Sequence, residues 1–138
     1  MSLILTKNEV NRLEGIIEKE LLHVGAEHVI IVDMAGNLIL ERGSLRMDDI
    51  MSLAVLSAAN FAATAQIAKL IGEEDFTLLF HKGDTRNIHF NRLAKDYIII
   101  TLFDDSVSLG LIRLKSHNAI EQLSVVLDGL EGRNRWPS

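Results

Sequence analysis

A chain of 138 residues with no cysteine, and with 14 Lys and Arg against 19 Asp and Glu, fits one domain that folds without staples. The missing thiols exclude disulfides and Cys-based zinc or iron–sulfur centres. The net charge of −5 opposes an extended nucleic-acid surface, which needs clustered Lys and Arg. Cysteine usage suits a reducing cytoplasm, and no signal peptide is expected, because no basic stretch leads into an apolar run and cleavage site.

Thr6-Lys7-Asn8-Glu9 is a capping box, with Leu5 and Val10 at the positions of a hydrophobic staple. The helix it opens is amphipathic. Val10, Leu13, Ile17, Leu21 and Val24 are expected inside, Glu14, Glu18, Lys19 and Glu20 in water, and Gly25 at the stop. Val29 to Val32 reads as a β-branched strand. Asp33 to Asn37 is a turn in which Gly36 is free to take positive φ, and Leu38 to Leu40 is the return strand. Glu41 to Met47 reads as a loop, and Asp48 and Asp49 suit the start of a helix, whose dipole favours carboxylates.

Ile50 to Ala68 then runs for nineteen residues without a charge, seven of them alanine, the best helix former. Ile50, Leu53, Ser57, Phe61, Thr64, Ile67 and Ile71 form one face, and Val55, Ala59, Ala62, Ala63, Gln66 and Leu70 much of the other. A helix apolar nearly all round is buried on both sides. In a chain this short one protein layer covers one side, and a second copy is expected to cover the other. The run approaches the length of a membrane span. Alanine adds little to insertion and Ser52, Ser57, Asn60, Thr64 and Gln66 oppose it, so no membrane insertion is expected.

After Gly72, Phe76 to His81 is a strand, Lys82-Gly83-Asp84 a turn, and Ile88 to Phe90 a return strand. Tyr97 to Phe103 is apolar at consecutive positions and should be central, covered on both faces. Asp104-Asp105-Ser106 is a loop in which Asp105 and Ser106 serve the start of the last helix. That helix uses Ile112, Ala119, Leu123, Val126, Leu127 and Leu130, and begins at Ser108 or at Ser116, since Leu109, Leu111 and Leu114 also fit a strand. The whole is one domain over residues 1–138, with a core at about 8–130 and tails at 1–5 and 132–138. The order is helix, two strands, long helix, three strands, helix: an α/β sandwich around a five-stranded antiparallel sheet.

Catalytic chemistry is hard to place on this chain. No Gly-x-x-x-x-Gly-Lys-[Ser/Thr] loop occurs. His81 and His89 face each other only if their strands pair in that register, and two ligands without a third make a poor metal site. Asp104 and Asp105 are better read as loop and cap carboxylates than as catalysts. Met34, Met47 and Met51 fill gaps before they form a plastic surface. Few polar groups converge on the sheet faces, so no cofactor, metal or small-molecule substrate is expected, and a ligand-sensing pocket is disfavoured. Asn60 and Gln66 stand out in an apolar helix. They either fix register across a dimer axis or face a partner.

Three stretches carry a family resemblance: Val29–Val32 with the Asp33…Gly36 turn, Leu56 to Glu73, and Ile99 to Asp104 with Ser108-Leu109-Gly110-Leu111 opening a last helix. Together they resemble the Roadblock family, the Roadblock-type dynein light chains and their bacterial MglB-type relatives, over nearly all of residues 8–130. The last helix matches the MglB type rather than the minimal light chains. The resemblance implies a profilin-like sandwich and a homodimer in which central helices lie side by side and the strand Phe76–His81 pairs with its copy. Val55, Ala59, Ala62, Ala63, Gln66, Phe76, Leu78 and Phe80 are the interface so implied. An alanine face does admit a second backbone closely, and Phe76–Phe80 left unpaired would be an aggregation hazard.

The resemblance further implies a small Ras-like GTPase as partner, met by the helix Ile50–Ile71 and the loop Glu41–Asp49. Arg46, Met51, Ala58, Gln66 and Lys69 are the contact residues expected. The chain itself would be no enzyme. It would stimulate GTP hydrolysis by positioning the partner's switch segments rather than by an Arg46 or Arg86 finger. The alternative is a non-catalytic scaffold dimer in a larger assembly without GTPase contact, because a fold does not decide function.

Overall fold

The computed structural model describes residues 4–74 and 77–134, with the side chains of 131–134 excepted. Helix α1 spans Lys7–Ile17 and opens on the full capping box: the Glu9 N–H donates to Thr6 Oγ1 at 3.2 Å and the Thr6 N–H to Glu9 Oε1 at 2.8 Å. It continues as a π-helical turn over Glu18–Leu22, before Gly25, at φ +113°, reverses the chain. The π turn is the first departure from the sequence expectation. It adds a residue to the turn and rotates the residues after it, so Glu20 is buried rather than wetted. Gln122 Nε2 donates to Glu20 Oε2 at 2.8 Å, and Lys19 and Lys115 lie at 3.5 and 3.9 Å. The hydrogen bond from Gln122 holds the Glu20 carboxyl below its usual range, with the two ammonium groups adding to it against burial. Leu13, Ile17 and Leu21 are buried as expected, whereas Val24 is only half-buried.

Strands β1 (His28–Asp33) and β2 (Leu38–Gly43) form a hairpin whose turn is organised by Asp33. Its carboxylate accepts from the Ala35 and Asn37 amides at 3.0 and 2.9 Å, and Gly36 takes φ +91°. Helix α2 spans Met47–Leu70. Strands β3 (Leu78–Lys82), β4 (Arg86–Leu93) and β5 (Tyr97–Asp104) come next, and helix α3 runs over Leu109–Asn134. The sheet order is β2-β1-β5-β4-β3, antiparallel at every pairing. This is the expected α/β sandwich. β5 is buried at seven consecutive positions, Tyr97 to Phe103, as the central strand should be.

The two faces of the sheet sort the core. Val29, Ile31, Leu93, Tyr97 and Ile99 pack with Leu13, Ile17 and Leu21 of α1 and its π turn and with Ala119, Leu123 and Leu127 of α3. Ile30, Val32, Phe90, Ile98 and Ile100 pack with Ile50, Ala54 and Phe61 of α2, and the Phe61 ring meets Phe90 edge-on at 6.4 Å. Each large side chain so buried contributes about 1.5–3 kcal/mol.

Several boundaries differ from the sequence expectation. β2 extends through Gly43 and α2 begins at Met47, so the expected loop Glu41–Asp49 shrinks to residues 44–46. Helix α3 starts after Ser108, whose Oγ accepts from the Leu111 N–H at 3.1 Å, which settles the choice against Ser116. Asp105 does not serve that start. Its carboxylate accepts from Lys82 Nζ at 2.8 Å and Asn87 Nδ2 at 3.0 Å. The expected tail at 132–138 is helical through Asn134. Phe76 lies outside the described residues, and β3 begins at Leu78.

Candidate functional site

Among the described residues, most of the exposed large apolar side chains lie on α2. At 100° per residue, Ile50, Ala54, Ser57, Ala58, Phe61 and Ala68 turn inward and are buried. The opposite side carries Val55 (58% exposed), Leu56 (66%), Ile67 (54%) and Leu70 (86%), with Ala59, Ala62, Ala63 and Gln66 exposed among them. By length and composition α2 matches a membrane span at a mean hydropathy of 1.5, yet it lays one face on the sheet.

The expected site residues sort by this geometry. Val55, Ala59, Ala62, Ala63 and Gln66 lie together on the open side. Met51, Lys69 and Arg46 are exposed. Met51 and Lys69 share one flank, five turns and about 27 Å apart. Ala58 is a correction: at 6% exposed it sits with Ala54 and Phe61 on the inner face, one turn from each, and offers a partner nothing. Ile67 and Ile71 are a second correction. Grouped with Ile50 and Phe61 by spacing, both are exposed, Ile67 because it stands about 100° round the helix from Ile50. Leu56, Ile67 and Ile71 are absent from the expected site and are among its largest exposed side chains, as is Leu70, which spacing places on this face. Strict 100° spacing from Phe61 also puts Leu56 and Ile67 there.

The segment leading into α2 is held from below. Gly43, at φ +147°, lies so close to β1 that a Cβ would stand 2.4 Å from the Glu27 carbonyl oxygen. The Leu45 N–H donates to Nδ1 of buried His28 at 2.9 Å, which assigns the His28 proton to Nε2, within 2.5 Å of Glu41 Oε2. This places Arg46 at the helix start. Among the described residues Arg46 has no ion partner, whereas Arg86 Nε lies 3.3 Å from Glu27 Oε2. Thr64 Oγ1 donates to the Asn60 carbonyl at 2.7 Å, leaving Asn60 half-buried and Gln66 outward.

β3 is a sheet edge, with Leu79 packed on the α2 side and Phe80 packed with Phe103, Val107 and Ile112 on the opposite face. Leu78 and Phe80 are half-buried, and Phe80 stacks on Phe103 at 6.2 Å. The other edge, β2, carries Glu41 and Arg42 beside a register shift in the hairpin, devices that blunt strand addition. β3 has no charge before Lys82.

The metal reading fails on register. His89 pairs with Phe80 and His81 with Ile88, so the two imidazoles point to opposite faces. His81 packs on the Phe90 ring at 5.2 Å. Among the described residues no three metal-ligating side chains cluster. Asp104, expected in a loop, is the last residue of β5, its carboxylate accepting from the Ser106 N–H and hydroxyl.

Known proteins share this architecture. The Roadblock/LC7 domain profile matches residues 14–111. The solved structure of Myxococcus xanthus MglB is 31% identical, covering 93% of this chain and 96% of that one at a TM-score of 0.84. The gliding protein MglB of Thermus thermophilus is 27% identical, covering 93% and 97% at 0.85. Schizosaccharomyces pombe profilin, 15% identical over 87% and 97% at 0.53, shares the fold alone. With the profile spanning the whole sheet and all of α2, and with MglB alike over nearly the whole length, the chain belongs to the Roadblock/LC7 domain family and is an MglB-like member of it.

Proposed function

We propose that this chain acts as a homodimer, joined through the outer side of α2 and the edge of β3, and that the dimer regulates a small Ras-like GTPase in the cytoplasm. One observation supports the reading above others. α2 carries no charge from Ile50 to Ala68, yet half of its circumference faces outward from the single chain. Such an apolar stripe marks an interaction site. Alanines at 59, 62 and 63 allow a second helix to approach closely, and the chargeless start of β3 favours strand pairing across the same junction.

The GTPase then meets the flank bearing Met51 and Lys69 and, at the helix start, Arg46, with Gln66 at the junction. The regulator brings no reacting group. Hydrolysis is stimulated when the partner's switch segments are held in a competent arrangement, which restricts them without adding a charge. Likeness to MglB supports this partner class. The test is single-turnover GTP hydrolysis by a small Ras-like GTPase from the same source, with and without the chain. Faster turnover and a stable complex are expected. A dimer that neither binds the GTPase nor changes its rate would instead be a scaffold.

A further inference from the structure

On the opposite side of the sheet, α1 and α3 leave between them an open groove of about 500 Å³. Gly15, Ile16, Val125 and Val126 form its apolar part, Arg12 and Lys19 stand over it, and no carboxylate lines it. Several of its features are unexplained by folding. Gly15 interrupts α1 with a weak helix former, although a Cβ there would meet nothing within 4 Å, so no neighbour in the chain requires glycine. Val125 is 69% exposed. Arg12 has no hydrogen-bond or ion-pair partner among the described residues. The π turn Glu18–Leu22 carries Lys19 to the groove, where its Nζ donates to Gln122 Oε1 at 2.8 Å, and π turns recur at functional sites.

We propose that this groove docks an acidic amphipathic helix from a partner protein, independently of the α2 surface. The notch at Gly15 lets a foreign backbone approach, and half-buried Ile16 and exposed Val125 accept an apolar stripe over a floor formed by buried Val126. Arg12, without a partner among the described residues, selects a carboxylate on its border, and Lys19, already 3.5 Å from Glu20 Oε2, adds a second, shared cation. A second copy of the chain fits less well, because a two-fold contact sets the same cationic rim against itself.

The test uses the full chain, isotope-labelled for NMR, and two synthetic helical peptides of about 18 residues. One carries leucine at i, i+3, i+4 and i+7 with glutamate elsewhere, and its twin has lysine for every glutamate. The acidic peptide should move the amide signals of Gly15 and Val125 and leave those of α2 in place. Arg12→Glu and Gly15→Leu, both exposed and compatible with a helix, should each weaken it at least about tenfold. GTPase binding should survive Gly15→Leu, which separates this groove from the α2 reading. The proposal is overturned if Gly15 and Val125 do not respond, or if the lysine twin binds equally. It is also overturned if Gly15→Leu lowers the sedimented mass of the free chain, which would give the groove to a second copy.

Discussion

His89 shows what one buried polar side chain does to this fold. It sits opposite Phe80 on β3 and Thr101 on β5, and neither ring nitrogen has a hydrogen-bond partner. Burial, with Arg113 adding to it, pushes its pKa down to about 4. The unfolded chain therefore binds a proton that the folded chain refuses, and stability falls as pH drops below about 6.5 toward 4. Between pH 7 and pH 5 the loss should be about 2 kcal/mol, read as a lower urea midpoint. His89→Leu should flatten that slope at little cost at pH 7, since it removes an unpaired polar group. Glu20, Asp104 and Asp105, whose pKa values are lowered, keep their full stabilising contribution above the ordinary carboxylate range and lose it only as pH falls below that range, under this window. Gly43 is the other sensitive residue. Gly43→Ala meets both a positive φ and the Glu27 carbonyl, and should cost more than about 1 kcal/mol in the same measurement.

At the scale of elements, most of the architecture was legible in the chain. The capping box, the Asp33 turn and the apolar run of β5 each follow from local chemistry that nothing distant overrides. The π turn was not legible, because nothing within Glu18–Leu22 marks a widened turn, and the groups that hold Glu20, Gln122 and Lys115, lie about a hundred residues on. The surface on α2 was legible as an anomaly, a helix without a polar side, but its azimuth was not: Ala58 and Ile67 changed places once the sheet fixed which face is inward. That azimuth makes a sharp prediction. Ala59→Glu and Ala62→Glu place a charge where the single chain is open, so its own stability should change by no more than about 0.5 kcal/mol. In a dimer the same charge is buried without a partner and costs several kcal/mol. Circular dichroism should stay unchanged while the sedimented mass halves.

For the whole molecule, one sheet separates two differently built faces. α1 and α3 close one side with the cluster around Leu13, Ile99 and Leu123, while α2 covers the other with half of its own circumference left bare. Regulation of a GTPase by such a body needs no pocket, only a rigid platform. Lys69→Glu should therefore weaken GTPase binding and stimulation by about tenfold without disturbing the dimer, tested by turnover and sedimentation together.

The most direct measurement is sedimentation velocity of the unmodified chain across a micromolar concentration series, with hydrogen exchange of the amides of Ala59 to Ile67 followed in the same samples. The account predicts twice the chain mass and slow exchange along that stretch, both lost on dilution or in Ala59→Glu. A folded particle of single-chain mass at every concentration, with those amides exchanging as an exposed helix does, would contradict it.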